Sequence, residues 1–227
     1  MHIGLIGGIG PAATALYHRR LTGAVPDGLN LTIVHADIRT LLANAASGDA
    51  EAQADIFAAL IDRLRTAGAE VATITAIGGH FCLKETAAKS SLPLVSAIAP
   101  LGAHLTSEGI GTVGLLGTAF AMRSRLFGRL TGLEIITPGD RIDAVGTAYG
   151  EMAVAGHCTV EQRNLFVGAG QAMMAEGADA VALVGTDLAL AFDGVDTGYP
   201  VIDAIDPHVT HLAALARGAP LDPDMLA

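Results

Sequence analysis

The sequence predicts an α/β protein made of two similar domains, each with a parallel sheet. Three observations carry this. Short apolar runs alternate with longer stretches of helical periodicity, Gly, Pro, Asp and Asn gather at the joints, and two strand motifs recur at nearly one offset. Strands are expected near Ile3–Ile6, Leu31–His35, Val71–Thr75, Leu94–Val95, Val113–Leu116, Leu133–Ile136, Ala180–Val184 and Val201–Ile202. Helices fill the intervals. The segment Asp49 to Ala67 places Ile56, Leu60, Ile61 and Leu64 on one face and is followed by Gly68, a stop signal.

The first strand runs into "GLIGGIGPAAT", Gly4 to Thr14, with Pro11 at the first position of the following helix. Such a turn aims backbone N–H groups at an anion. It fits the loose dinucleotide pattern Gly8-x-Gly10-x-x-Ala13, and Asp37 closes the second strand where a ribose-binding acid would stand. However, Pro11 removes an N–H from the first helical turn, and the second half uses a different turn, "GTAFAM", at the corresponding place. The opening turn is therefore read as a small-carboxylate site. Neither a nicotinamide nor a flavin is expected.

The repeat sets the domain boundaries. "IGLIG" at Ile3 recurs as "VGLLG" at Val113, an offset of 110, and "GAEVATITA" ending at Ala76 recurs as "GADAVALVG" ending at Gly185, an offset of 109. Residues 1–97, joined by a C-terminal segment from about 201 to 227, form the first expected domain, and 98–200 the second. Ligands in open α/β sheets bind beyond the carboxyl ends of the strands. Ala76 and Gly185 should then face each other across one cleft.

Composition excludes several classes of function. At 51% hydrophobic and 16% charged, the 227 residues suit compact domains and not disorder. A net charge of −10 argues against nucleic acid and anionic membrane as partners. Lysine is limited to Lys84 and Lys89, so a Schiff base has few candidates, and Cys82 and Cys158 form neither a disulfide framework nor a CxxC pair. Without a charged-then-apolar leader or a membrane-length apolar run, a cytoplasmic protein is expected. His208 and His211, with Asp206 nearby, have a metal-compatible spacing, but no third ligand is evident and no metal is expected.

Several motifs in consecutive order resemble the aspartate/glutamate racemase superfamily. "IGLIGGIGPAAT" resembles its GGxGPxAT opening, "LLGTAFAM" its GTxxTM turn, "EGADAVALVGTDL" its GAdxvxLGCTEL segment, and "PVIDAIDPHVTHLAAL" its closing helix entry. His80 matches the His of the family's CNTAH segment, and His208 the His of the closing helix. The resemblance implies two similar α/β domains around a shared cleft, frequent dimerisation, a small carboxylate as substrate, and no cofactor. One thiol in each half would move the proton at the substrate α-carbon from opposite faces.

This chain departs from that pattern at both thiols. Ala76 and Gly185 occupy the cysteine positions, Ile77 and Gly78 replace the following Asn and Thr, Ala121 replaces the second Thr of GTxxTM, and Asp187 replaces a Glu. Cys82 is six residues beyond Ala76, a turn past the cleft floor, and Cys158 precedes a long helix, so neither is a direct substitute. The remaining candidates are His80 and Asp187 as acid or base; Gly10, Thr14, Thr118 and Thr186 with the N–H groups of their helix starts as carboxylate donors; and Arg39 and Arg123 for a distal carboxylate. Each has a bland counterpart. The Thr residues and Asp187 suit helix capping, His80 suits a structural role, and the arginines suit a solvated surface. The expectation is a cofactor-independent enzyme acting next to a carboxylate, in place of two-thiol racemisation. A thiol-free lyase or decarboxylase and a non-catalytic carboxylate-binding protein are the alternatives.

Overall fold

Eight strands and ten α-helices alternate along the chain in the computed structural model, which describes residues 1–227. The first half runs β1 (Ile3–Gly7), α1 (Pro11–Ala24), β2 (Leu31–His35), α2 (Ile38–Ser47), α3 (Ala50–Thr66), β3 (Val71–Ile74), α4 (Leu83–Lys89) and β4 (Leu94–Val95). The second runs α5 (Ile98–Ser107), β5 (Thr112–Leu116), α6 (Ala119–Arg123), β6 (Glu134–Ile136), α7 (Ile142–Ala155), α8 (Val160–Ala175), β7 (Ala180–Leu183), α9 (Ala189–Phe192) and β8 (Val201–Asp203), and α10 (Ile205–Ala216) follows. Two short 3₁₀ turns, Ile77–Cys82 after β3 and Thr186–Leu188 after β7, matter for the site.

The strands form two parallel four-stranded sheets of the same topology, β2-β1-β3-β4 and β6-β5-β7-β8. The repeat extends to register. Ile3 pairs with Val71 in the first sheet, and Val113 with Ala180 in the second, positions related by the offsets read from the sequence. Central strands β1, β3 and β7 are buried along their whole length, which is why they read as unbroken apolar runs. Equivalent glycines bring equivalent helices close to the sheets. A Cβ at Gly4 would lie 2.9 Å from Leu64 of α3, and one at Gly114 would lie 3.2 Å from Met173 of α8.

Each sheet is covered on both faces. In the first domain, Phe57, Ile61 and Leu64 of α3 pack on one face, while Tyr17 and Leu21 of α1 join Ile205, Val209 and Leu212 of α10 on the other. The C-terminal helix thus returns to the first domain. β8 pairs with β7 in the second sheet, and α10 follows it directly. Asp37 accepts a hydrogen bond from the Thr40 N–H at 2.8 Å and caps α2. Thr118 caps α6 through the Ala121 N–H at 3.1 Å.

His208 is fully buried, and both of its ring nitrogens are used. The Thr73 hydroxyl donates to the Val95 carbonyl at 2.8 Å and therefore accepts from His208 Nε2 at 3.1 Å, which leaves Nδ1 to accept from the Tyr17 hydroxyl at 2.7 Å. No group of three His, Cys, Asp or Glu side chains converges anywhere. No helix is long and apolar enough to cross a membrane.

Candidate active site

The opening turn has Gly8 and Gly10 at positive φ, 87° and 96°, a conformation glycine adopts without steric cost. Thr14 ties the turn together, accepting from the Gly8 N–H at 2.8 Å and donating to the Gly10 carbonyl at 3.3 Å. Helix α1 has no cap from its own N-terminal flank. Its cap comes from the other domain. The Ala13 N–H donates to Asp187 Oδ1 at 3.1 Å, and a Cβ on Gly10 would lie only 2.0 Å from Asp187 Oδ2. The anion held by the glycine-rich turn is a carboxylate of the chain itself.

Asp187 is 1% exposed, and burial pushes its carboxyl up to about 6, more than the Ala13 N–H and the Tyr149 hydroxyl pull it down. The Tyr149 hydroxyl donates to Asp187 Oδ2 at a long 3.4 Å. Burial, and then the Asp187 charge, hold the Tyr149 phenol well above its usual value, so it stays protonated. No motif announced Tyr149. Its only sequence signal is its place on the buried stripe of α7 with Val145, Ala148 and Met152.

Ala76 and Gly185 are structurally equivalent. Each is an extended residue that follows its strand and starts a 3₁₀ turn, with φ −111° and ψ 115° at Ala76 and φ −122° and ψ 109° at Gly185. Their surroundings differ. A Cβ on Gly185 would meet Tyr149 Cε2 at 2.4 Å and Cζ at 2.8 Å, so the tyrosine ring fills the place of a side chain there. The domains approach again at Gly78 and Thr118, where a Cβ on Gly78 would touch Thr118 Cγ2 at 3.4 Å.

Two cavities flank the Tyr149 and Asp187 pair. One, of about 640 Å³, lies between the domains, bounded by Leu41 and Leu42 of α2, Gly78, Thr118, Arg123 and Tyr149. The other, of about 570 Å³, lies between α1 and α9 and has Thr186 and Asp187 among its lining residues. Thr118 and Arg123 are therefore separated from Thr186 and Asp187. Gly10, Thr14 and Arg39 line neither cavity. Arg39 is exposed on the first turn of α2, and Arg123 is bound to Asp143 at 2.5 Å.

His80 has no free nitrogen. The Ala97 N–H donates to Nε2 at 2.9 Å, so Nδ1 carries the proton and donates to the Ala76 carbonyl at 3.1 Å. Burial pushes its pKa down to about 4, and the neutral ring fastens the end of β3 to the start of α5. Cys82 is buried beside Thr86, with its thiol pushed up to about 11 by burial, and is a poor source of thiolate.

The model of the Asp/Glu/Hydantoin racemase family matches residues 6–212. A candidate Asp/Glu racemase from Yersinia pestis superposes with a TM-score of 0.81 at 27% identity, covering 96% of this chain and 100% of that one. The aspartate racemase of Picrophilus torridus gives 0.79 at 19% identity, covering 99% and 98%. A cysteine-for-glycine mutant of arylmalonate decarboxylase gives 0.57 at 20% identity, covering 100% and 98%. No curated protein matches the sequence.

Proposed function

This chain belongs to the Asp/Glu/hydantoin racemase family, and from that premise we propose that it is a thiol-free acid–base enzyme working at the α-carbon of a small carboxylate from one face. The observation that carries the reading is the Tyr149 ring in the place of a side chain at Gly185, with its hydroxyl on Asp187. A phenol backed by a carboxyl near 6 is a proton carrier where the family pattern has a thiol.

In this reading the substrate occupies the cavity between the domains. Thr118 and Arg123 hold its carboxylate, Leu41 and Leu42 meet an apolar substituent, and the α-carbon faces Tyr149. Breaking the Cα–H bond sends the proton to the Tyr149 oxygen as the tyrosine proton passes to Asp187. The electron pair moves into the substrate as an enolate. Return of the proton from the same wall gives exchange without inversion, because the methyl group of Ala76 carries no proton in the opposite half. His80, with both nitrogens bonded to backbone, positions Ala76 and does not exchange protons.

The same one-sidedness favours decarboxylation as a second reaction. In a 2-substituted malonate the C–C bond to one carboxylate breaks, CO₂ leaves, and the electron pair on Cα takes the proton from Tyr149 as Asp187, starting in its protonated form, replaces it and is left ionised until solvent returns a proton. The capture of the α1 N-terminus by Asp187 favours the other alternative, a carboxylate-binding protein without turnover. Proton NMR in deuterated buffer with aspartate, glutamate and 2-substituted malonates separates these. One-faced deuteration or single-enantiomer decarboxylation is expected, racemisation of aspartate would overturn the reading, and binding with no reaction would leave the carboxylate-binding protein.

A further inference from the structure

The cavity between α1 and α9 has features of a second ligand site. Its apolar wall comes from Ala12, Ala15 and Leu16 on one side and Ala189 and Leu190 on the other, and about 570 Å³ suits a small molecule. Thr186 lines it, and its Oγ1 is buried beside the Tyr149 hydroxyl without a well-formed hydrogen bond. Buried hydroxyls are rarely left unsatisfied, so this atom points to a polar ligand atom.

The charges at the cavity define the ligand further. Arg20 is bound to Asp203 and Asp206. Arg19 and Asp193 also line the cavity, both are exposed, and neither forms an ion pair with any residue, including the other. Arg19 and Asp193 are thus a cation and an anion without ion-pair partners beside an apolar wall, while the third carboxylate of the lining, Asp187, is held by the Ala13 N–H and the Tyr149 hydroxyl. A ligand with a carboxylate, an ammonium group and a short apolar body would satisfy both Arg19 and Asp193.

We propose that this cavity binds a free α-amino acid, with its carboxylate on Arg19, its ammonium group on Asp193, its polar end within reach of Thr186 and its side chain against Leu16 and Leu190. The cavity is distinct from the one that holds Thr118 and Arg123, although Asp187, the proton partner of Tyr149 in the proposed reaction, lines it.

The test is a titration of the ¹⁵N-labelled full chain with L-leucine, 4-methylpentanoate and 3-methylbutylamine, following backbone amide shifts. The two latter probes are leucine without its ammonium and without its carboxylate. Leucine should shift the amides of Ala12, Ala15, Ala189 and Leu190. Each truncated probe should bind about tenfold more weakly or worse, as should leucine to Arg19→Ala and to Asp193→Ala, since each change removes one charged hydrogen bond. Both side chains are exposed, so the variants fold. Arg65→Ala, an exposed change on α3 outside both cavities, should leave leucine binding unchanged. Shifts confined to Gly78 and Phe120, equal binding of 4-methylpentanoate, or no shifts at millimolar leucine would each overturn the proposal.

Discussion

Tyr149 and Gly185 share one volume: a single methyl group on the glycine would lie 2.4 Å from the tyrosine ring. Replacing Gly185 with cysteine should therefore strain the core, at a cost of about 1 to 3 kcal/mol typical of overpacking. Tyr149→Ala should also destabilise, by opening a cavity. The pair together should be less destabilised than the two separate losses added, because each change relieves the other. Urea denaturation of the two single variants and the double variant measures the coupling, and strict additivity would show that the contact is not strained.

Stability against pH separates two buried groups with opposite signs. Asp187 is raised from 3.8 to about 6, so its favourable contribution is complete below pH 4 and is lost as pH rises through 6. His80 is lowered from 6.5 to about 4, so its contribution is complete above pH 6.5 and is lost as pH falls through 4. Each is worth about 3 kcal/mol at about 1.4 kcal/mol per pKa unit. Between pH 4 and 6 they oppose each other. Half-buried Asp203 shares the sign of Asp187, and buried His208 that of His80. Asp187→Asn should make stability fall more steeply on acidification than in the native protein, and His80→Gln should do the reverse. Denaturant midpoints at pH 4, 5, 6 and 7 read this directly, and an unchanged slope in Asp187→Asn would mean that its carboxyl titrates normally.

Dinucleotides should not bind. The Ala13 N–H that a pyrophosphate would need is given to Asp187, Pro11 offers none, and the Asp37 carboxylate is taken by the Thr40 N–H and hydroxyl. Calorimetric titration with NAD, NADP and FAD should show no heat of binding. Micromolar affinity for any of them would require the turn to release Asp187.

The fold was legible because its signals are local. The strands β1, β3, β5 and β7 are mostly buried and apolar, their turns are marked by Gly and Pro, and the repeat from Ile3 to Val113 reappears in the strand register. The site was legible only in outline. Thr14, Thr118 and Asp187 were visible as residues at helix starts, but the sequence does not say which N–H each would take. Asp187 reaches Ala13, 174 positions away, and so caps α1 in place of the helix that follows it. Tyr149 went unseen for a similar reason. A missing side chain at Gly185 gives no clue to which distant residue fills its space.

Tyr149→Phe keeps the ring that fills the Gly185 site and removes only the hydroxyl, whereas Asp187→Asn keeps the contact and removes the titrating group. If the two residues act as one relay, each change should lower turnover of the reacting carboxylate by about 10² to 10⁴, the usual worth of a positioned acid or base. The double variant should then lose little more than either single one, because residues that act as a unit are not additive. Thr118→Ala should instead raise KM with a smaller change in kcat, since it removes a binding contact and no proton carrier. The pH profile of kcat/KM supplies an independent reading. With the Asp187 carboxyl near 6, the native protein should show a limb there, and Asp187→Asn should abolish that limb. Full activity in Tyr149→Phe, or a limb near 6 that survives in Asp187→Asn, would place the proton carrier elsewhere in the cleft.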